Sequence, residues 1–557
     1  SSNGYGVFTD PSEVKDYGLG FHLTAPEKDV YSVWLYARAD YWASDEIYYA
    51  TNNDIYDVKL LSTKKQWYWI RLANISLEQG DNLFKLAYKE GLFMIDKVVI
   101  TNNLSYKPEG DTSAAPEIRP GEEQLLFNLP PVAPTVGQHP RLLVTEEDLP
   151  KVRENLEHPE NIEMWKFVQE IAALDTDGTL APTAPYRNTN EQDKYVGCAE
   201  ANAFLYLVNG TEENGRKAIT VAKNYLKTLN IKTGADDITR HTGYAIYVAA
   251  CAYDWCYDLL TEDDKKEFRV QMLRHAERME ISWRPTEQHF VTGHGCEAET
   301  FRDALSMGIA LYDEDPEVYN LIAGRIFQEM ITARNYAYGA QLFTEGTDYG
   351  PFRYPYEVLS TIMFDKLGLK EVYTRDQLHV LYGTMYDRLP DGRFLNTGDC
   401  SSSSSIGFYN NASDSYFLAG NYYKDPYIRK LFFKSKPSAQ NVAVGRYGVT
   451  APMHLILNDP SVGVADADGL PLTVYFDDPL GTMIAKTSWE EGKSSNAMMV
   501  KMNAGARTFL NHQHLDSGHF DIYYKGKLAL DSGMYKSAPF SIDGVPVTAL
   551  SYGSNHD

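Results

Sequence analysis

The chain has 557 residues, too many for one hydrophobic core, so the length predicts two to four domains. Hydrophobic residues make up 43% and charged residues 23%, as in ordinary soluble globular proteins. A net charge of -24 argues against nucleic acid as a partner but leaves room for a local basic cleft that binds an acidic sugar.

The five cysteines are odd in number and lack the spacing of a zinc ribbon or a disulfide framework. Cys251 and Cys256 lie in an apolar helical stretch and are predicted to be core residues. No apolar run is long enough to cross a membrane. The chain begins at Ser1 like a processed or trimmed N-terminus, so export cannot be read directly from the sequence. We expect a periplasmic or secreted bacterial protein, with the signal peptide absent from this chain.

Residues 1–115 are predicted to form a β-sandwich. β-branched and aromatic residues alternate or mix over four segments, with Asn, Asp and Gly between them: 31–38, 66–72, 80–88 and 94–100. The last two segments resemble the final strands of carbohydrate-binding-module-like sandwiches. Because that architecture often serves only for packing, we expect a packing partner rather than a sugar-binding module.

A Pro-rich linker is predicted over residues 116–138, and a helical region over residues 139–438. Helices are predicted at 146–153, 214–229, 244–260 and 263–281. Thr261 is the expected N-cap of the last of these helices, because acidic residues follow it in the first turn. Many helices joined by irregular loops favour an (α/α) toroid or a helical solenoid.

Residues 439–557 are predicted to begin an antiparallel β-sheet domain. The hydrophobic period shifts to two in segments 454–457, 496–502 and 519–526. The sequence ends at Asp557 without an obvious closing strand, so we expect the sheet domain to be incomplete in this chain. The predicted fold class is therefore multidomain α+β.

Histidines are concentrated just before the last of these segments. His512 and His514 lie on one face of an extended segment, roughly 7 Å apart, and His519 follows. Asp516 and Asp531 could place carboxylates beside them. Two imidazoles on one face suit a metal site, an anion site or acid–base chemistry.

Two further motifs carry candidate catalytic groups. His294 lies just before Glu297, and it could direct an imidazole to a ligand beside the start of a helix, although simple helix capping is the alternative. Tyr349 lies in a Gly-bounded polar segment that is predicted to be a loop between helices, where a phenol could project into a cleft. Most loop tyrosines are structural, so this motif is weak alone.

Together these residue types fit β-elimination of a 4-linked uronate. The C6 carboxylate must be neutralised before a base can remove the C5 proton, and an acid then protonates the departing O4. Tyrosine can do either task when positive charge lowers its pKa from about 10. A glycoside hydrolase would instead need two opposed carboxylates, which the motifs do not supply clearly.

The motifs that contain His294, Tyr349 and His512, in this order and spacing, resemble those of the heparinase II/III-like superfamily of polysaccharide lyases over residues 140–557. The predicted domain order most resembles polysaccharide lyase family 15, which holds exolytic oligo-alginate lyases and exolytic heparin and heparan sulfate lyases. The resemblance implies Tyr349 as the acid, and in syn elimination also the base. It implies His294 as base or carboxylate neutraliser, and His512 as a helper at the C6 carboxylate.

The same resemblance implies substrate-binding and metal-binding residues. Arg187 is expected to clamp the carboxylate through its fork of donors. Glu297 matches a Glu of heparinase II, and it would be protonated or act indirectly, because a charged carboxylate would repel the substrate. His241 is expected to line the cleft, with packing at a helix start as the alternative. His514 and Asp531 are implied ligands of a structural divalent metal, with zinc first and manganese or calcium as alternatives, and His556 is a candidate third ligand.

Four functions follow. The leading prediction is an exolytic lyase of heparin or heparan sulfate that leaves 4,5-unsaturated uronates, because the Glu after the catalytic His resembles heparinase II. An oligo-alginate lyase of the same fold is the alternative. A non-catalytic glycan-binding protein and a uronate epimerase, which returns the C5 proton instead of expelling O4, are the others. The expected partner is an anionic polysaccharide or oligosaccharide.

Overall fold

The structure is a computed structural model. It describes residues 6–7, 18–39, 46–52, 57–60, 67–87, 93–109, 128–176, 190–229, 239–276, 279, 297–395, 397–398, 408–435, 448–505, 513–514, 516–529, 540–542 and 545–547.

The described N-terminal residues form two antiparallel four-stranded sheets, in the orders β1-β8-β3-β6 and β2-β7-β4-β5. Their strands are β1 (Gly6–Val7), β2 (Gly18–Ala25), β3 (Asp29–Ala39), β4 (Glu46–Thr51), β5 (Asp57–Leu60), β6 (Tyr68–Leu77), β7 (Gly80–Ala87) and β8 (Phe93–Thr101). Alternate residues of β3, such as Val33 and Leu35, share one buried core with Phe84 and Leu86 of the other sheet. The four predicted strands are confirmed.

A helical region follows. Its α-helices among the described residues are α1 (Leu149–Asn155), α2 (Ile162–Ala172), α3 (Asn190–Asn209), α4 (Glu212–Thr228), α5 (Thr239–Trp255), α6 (Glu262–Ala276), α7 (Leu305–Ala310), α8 (Pro316–Arg325), α9 (Ile331–Tyr338), α10 (Gly346–Lys366), α11 (Asp376–Asp387), α12 (Phe408–Tyr422), α13 (Pro426–Ser435) and α14 (Ala451–Leu457). Ala298–Ala304 and Ile326–Met330 are π-helical, and Tyr257–Leu259 and Ala467–Gly469 are 3₁₀ turns. Helices adjacent in sequence pack on each other, as α3 does on α4 and α12 on α13. The closed ring of a toroid stays a prediction.

The predicted helices are confirmed, with ends shifted by a few residues. Thr261 caps α6 as expected: its hydroxyl accepts from the Asp264 N–H at 3.1 Å, and the Asp264 carboxylate accepts from the Thr261 N–H at 3.0 Å. Cys251 and Cys256 are fully buried in the helical core, which confirms their predicted place. No described helix is both long and apolar enough to cross a membrane.

The strand predicted at residues 454–457 is wrong, because this segment forms α14. A short apolar run does not distinguish a buried strand from a buried helix. The decisive signal is Thr450, whose hydroxyl accepts from the Met453 N–H at 3.3 Å and so caps a helix that packs on α2.

The last large sheet has five antiparallel strands in the order β13-β12-β11-β10-β9. The strands are β9 (Thr473–Phe476), β10 (Thr482–Lys486), β11 (Met498–Asn503), β12 (Phe520–Tyr524) and β13 (Lys527–Ala529), and a hairpin of β14 (Phe540–Ile542) and β15 (Val545–Val547) follows. Strands predicted at 496–502 and 519–526 are confirmed. One face of the sheet packs on the helical core through Ile484, Met499 and Tyr523.

The N-terminal sheets are joined to the helical region through charged groups of α6. The Arg269 guanidinium contacts the Asp29 carboxylate at the start of β3 and lies 2.7 Å from the Asp315 carboxylate before α8. Lys28 adds an ion pair with Glu267 at 3.0 Å. Side chains of this interface are at most about a quarter exposed, so these contacts are less screened than surface ion pairs.

Candidate active site

Tyr349 lies in the first turns of α10, so the predicted loop at this position is wrong. The glycines and prolines of this segment favoured a loop, but tertiary contacts hold it as a helix. Gly346 takes a φ of +76°, and a Cβ there would lie 1.9 Å from the Thr397 carbonyl oxygen. The Thr347 N–H donates to the same oxygen at 3.0 Å. The start of α10 is therefore fixed against residues 397–398, and Tyr349 is positioned by a helix.

A guanidinium lies beside the Tyr349 ring. The Arg353 guanidinium carbon, one helical turn later, lies 5.0 Å from the centroid of that ring, and the guanidinium forms an ion pair with the Glu345 carboxylate. Tyr349 is partly exposed, whereas Arg353 and Glu345 are buried. A cation beside a phenol stabilises the phenolate and thus favours proton transfer from the hydroxyl.

Behind this pair lies a buried network of carboxylates and guanidiniums. Arg334 bridges two glutamates, donating to Glu297 at 3.0 Å and lying 3.1 Å from the Glu357 carboxylate. Both glutamates and both arginines line one small cavity of about 30 Å³, which has room for about two water molecules. One oxygen each of Glu297 and Glu357 is buried without a hydrogen-bond partner among the described residues.

The charge states within this network differ. Burial raises the pKa of Glu357 to about 7 against the opposing charge of Arg334. Burial also raises the pKa of Glu345 to about 7. For Glu297 burial acts in the same direction, but Arg334 and Arg353 outweigh it and hold the pKa below its usual value. Glu297 is therefore ionised rather than protonated, and its side chain faces Arg334 inside the protein.

Among the described residues, Glu297 is helical and is followed by the π-helix Ala298–Ala304. π-helical turns are rare and frequent at functional sites. His294, three residues earlier, lies outside the described residues. His241 lies in the first turn of α5, and the structure describes its backbone only.

A second cavity, of about 130 Å³, lies between the start of α10, the end of α11, and strands β10 and β11. We call it the seam cavity. The residues that matter among its lining are Thr347, Thr384, Asp387, Lys501, Asn503 and His514. His514 and Thr347, more than 150 residues apart in sequence, both line this cavity.

Arg187, His512 and Asp531 lie outside the described residues. Within the described residues, no group of three His, Cys, Asp or Glu side chains could hold a metal ion. His514 and Asp516 both line the seam cavity, where they offer a nitrogen and an oxygen donor of the kind zinc accepts.

Sequence reasoning missed four charged residues of the site: Arg334, Arg353, Glu345 and Glu357. A signal for two of them was present, because Glu345 and Arg353 lie four residues before and after Tyr349, which is the spacing of one helix face. The predicted loop concealed it. No local signal marks Arg334 or Glu357, whose pairing depends on how α9 and α10 pack.

No family profile matches the chain, and no curated protein matches it. Among solved structures, a heparinase III gene product is 16% identical to this chain, with a TM-score of 0.37. The match covers 72% of this chain and 59% of that protein. The heparan sulfate lyase HepC from Pedobacter heparinus is 15% identical, with a TM-score of 0.40, and the match covers 70% of this chain and 61% of that protein. A xanthan lyase from Paenibacillus is 11% identical, with a TM-score of 0.38, and the match covers 69% of this chain and 40% of that protein.

Lyases that act on polysaccharides are thus among the structures similar to this chain. The chain spans about three fifths of the length of the first two, 59% and 61%. Likeness at these TM-scores leaves the activity to be argued from the residues of this chain.

Proposed function

We propose that this chain is a polysaccharide lyase that cleaves 4-linked uronic-acid glycans by β-elimination and leaves 4,5-unsaturated uronate products. The observation that carries the proposal is the Arg353 guanidinium 5.0 Å from the centroid of the partly exposed Tyr349 ring. A cation beside a phenol stabilises the phenolate, which is the form in which a tyrosine can accept a proton.

In this reaction Tyr349 protonates the departing O4, and in syn elimination it first takes the C5 proton as phenolate. The positive charge of Arg353 stabilises that phenolate. His294 acts as base or carboxylate neutraliser, according to the configuration of the uronate, and His512 assists at the C6 carboxylate. These two roles rest on the sequence motifs.

The substrate-binding roles of Arg187 and His241 also rest on the sequence motifs. Arg187 clamps the substrate carboxylate by two parallel hydrogen bonds, and His241 lines the cleft. Glu297, which is buried and bound to Arg334, supports the site indirectly, because its carboxylate orients the arginine behind α10. We also propose that the helical region closes into an (α/α) toroid of the family 15 type, in a periplasmic or secreted enzyme.

A structural divalent metal completes the proposal, with His514 and Asp531 as ligands and zinc as the first choice. His514 supports it, since its imidazole lines a cavity together with the Asp516 carboxylate. When bound, such a metal supplies fixed geometry rather than chemistry. Dialysis against a chelator is then expected to lower the melting temperature, and an unchanged melting temperature would argue against a structural metal.

The preferred substrate is heparin or heparan sulfate, cleaved from chain ends, with oligo-alginate as the alternative. The test is to incubate the protein with heparan sulfate, heparin, alginate oligomers and hyaluronan and to follow the ultraviolet absorbance of the C4–C5 double bond. We expect a rise with at least one polymer, and product sizing then distinguishes exolytic from endolytic cleavage.

Tyr349→Phe should abolish the rise. Tyr475→Phe is the matched control, because Tyr475 is a 58% exposed residue of β9, and it should leave activity unchanged. No rise with any of the four polymers, or a rise that survives Tyr349→Phe, would overturn the proposal.

A further inference from the structure

A separate cavity of about 320 Å³ lies between the end of α11, helix α13 and the end of β10. Strand β10 begins at the seam cavity and ends at this one, so the two cavities lie at opposite ends of the strand. Apolar side chains of Leu431, Trp489 and Met499 line it together with the amine-bearing side chain of Lys486. We call it the lysine cavity, and its volume is that of a site for a small molecule.

The amine of Lys486 contacts a carbonyl oxygen and an indole ring. Its Nζ donates to the backbone carbonyl oxygen of Arg388 at 2.6 Å and lies 4.8 Å from the centroid of the Trp489 ring. Among the described residues, no carboxylate lies within ion-pair distance of this amine. A carbonyl oxygen accepts from a neutral amine as well as from an ammonium, so the hydrogen bond does not require the charge. The indole ring favours the ammonium by roughly 1 kcal/mol, which is less than a buried carboxylate contributes.

Three lysines on neighbouring elements each face a carboxylate. They are Lys430 with Asp466 at 3.2 Å, Lys434 with Glu491 at 2.8 Å, and Lys501 with Asp387 at 2.9 Å. A carboxylate offsets the cost of taking an ammonium out of water, and it keeps the proton on the amine. Lys486 has no such counterion within the part of the chain that the structure describes, so burial is expected to favour its neutral form.

The local electrostatics agree with this expectation. Burial, the largest cause, lowers the pKa of Lys486 to about 7 against the opposing carboxylate of Asp387. The Arg388 guanidinium acts with burial, and the Glu491 carboxylate acts against it. The other charged groups that line the cavity are Lys430, Lys434, Asp466, Asp468 and Glu490. At pH 7 about half of the Lys486 amines are thus neutral, compared with fewer than about one in a thousand for a lysine of ordinary pKa.

We propose that Lys486 is a covalent modification site, where the amine condenses with a small uncharged aldehyde or ketone that enters the lysine cavity. The nitrogen lone pair attacks the carbonyl carbon, and the carbonyl oxygen leaves as water with the two amine protons, so that a C=N bond replaces the C=O bond. Only a neutral amine can start this step, and the product imine leaves no charge at a buried position. The inference does not depend on the proposed lyase function, because no step of it uses Tyr349.

The test traps the imine in the full chain. Limiting formaldehyde is the probe, cyanoborohydride reduces the imine to a methylamine, and peptide mass spectrometry follows the initial rate at each lysine. At pH 7 we expect Lys486 to react at least about tenfold faster than Lys430. Lys430 is the matched control because it lines the same cavity, is 32% exposed and pairs with Asp466. Between pH 7 and pH 9 the ratio of the two rates should fall at least about tenfold, because the amine of Lys430 also becomes neutral.

Labelling in urea at pH 7 is the second control, since the advantage of Lys486 should disappear in the unfolded chain. Lys501, whose side chain is 2% exposed beside Asp387, should react more slowly than both lysines in the folded chain. A rate at Lys486 no higher than that at Lys430 at pH 7, or a ratio that stays constant from pH 7 to pH 9, would overturn the proposal. A constant ratio would show that access to the amine, and not its neutral form, decides the rate.

Discussion

The ammonium of Lys501 on β11 lies 2.9 Å from the carboxylate of Asp387 at the end of α11, and the two side chains are only 2% and 4% exposed. This ion pair joins the five-stranded sheet to the helical region. Its location inside the interface means that neither charge can be removed without leaving the other buried and unpaired.

Lys501→Met should therefore destabilise the protein by about 3–5 kcal/mol, the usual cost of leaving one buried charge unpaired. Chemical denaturation measures the loss. The control is Lys151→Met, because Lys151 forms an ion pair with Asp459 while its own side chain is 60% exposed, and its removal should cost about 1 kcal/mol or less. Equal losses in the two variants would contradict a buried, desolvated pair.

Arg353→Gln should reduce lyase activity at least roughly tenfold and move the alkaline rise of kcat/KM to higher pH, because the phenolate of Tyr349 loses its cation. Arg353→Lys should restore part of the activity, since it keeps the charge but not the planar fork. A pH profile of each variant measures both effects. A profile that only falls in height, without moving along the pH axis, would assign Arg353 a structural role.

Gly346→Ala should cost about 3 kcal/mol or more, since it combines a left-handed backbone with a clash against the Thr397 carbonyl. Tyr349 follows three residues later, so catalytic activity should fall with stability. The control is Gly368→Ala, where φ is +98° and a Cβ meets nothing within 4 Å, so only the backbone cost of about 1 kcal/mol applies. Thermal melts of both variants measure the loss of stability. Similar losses in the two variants would contradict a clash between the new Cβ and the Thr397 carbonyl.

The buried glutamates predict how stability changes with pH. The pKa of Glu357 is raised from 4.5 to about 7, so the folded state keeps a proton that the unfolded state releases between these values. Its stabilising contribution is complete below pH 4.5 and is lost as the pH rises to about 7. The free energy of unfolding should decrease by about 1–3 kcal/mol over this range.

Glu357→Gln should flatten that slope, because the amide does not titrate. The measurement is urea denaturation at several pH values between 4.5 and 8. A slope that is equally steep in the variant would show that other groups, such as Glu200 with its pKa raised by burial to about 7, dominate the pH dependence.

The sequence was sufficient for much of the secondary structure because long periodic segments are strong signals. The Thr261 cap and the strands of the N-terminal sheets follow from local residue patterns. Residues 454–457 were assigned wrongly because a short apolar run does not distinguish a strand from a helix, although the local cap at Thr450 marks the helix. The segment around Tyr349 was assigned wrongly because a distant partner, Thr397, fixes the start of α10. Short-range patterns contain no information about such a partner.

For the candidate site, Tyr349 and His514 were predicted from residue type and clustering, and their roles stay predictions, whereas their surroundings were not predicted. The ionised state of Glu297 depends on Arg334 of α9 and Arg353 of α10, which come together only in the folded chain. Lys486 is an ordinary strand residue in the sequence, and only its contacts in the folded chain distinguish it.

Arg269 forms ion pairs with two carboxylates, those of Asp29 in the N-terminal sheets and Asp315 in the helical region. In a protein trimmed to residues 128–557, Arg269 would lose its contact with the Asp29 carboxylate. The side of α6 that packs against β3 and β6 would also become exposed. The N-terminal sheets thus support the helical region through direct contacts and are not an independent module. The whole chain should therefore be expressed and assayed.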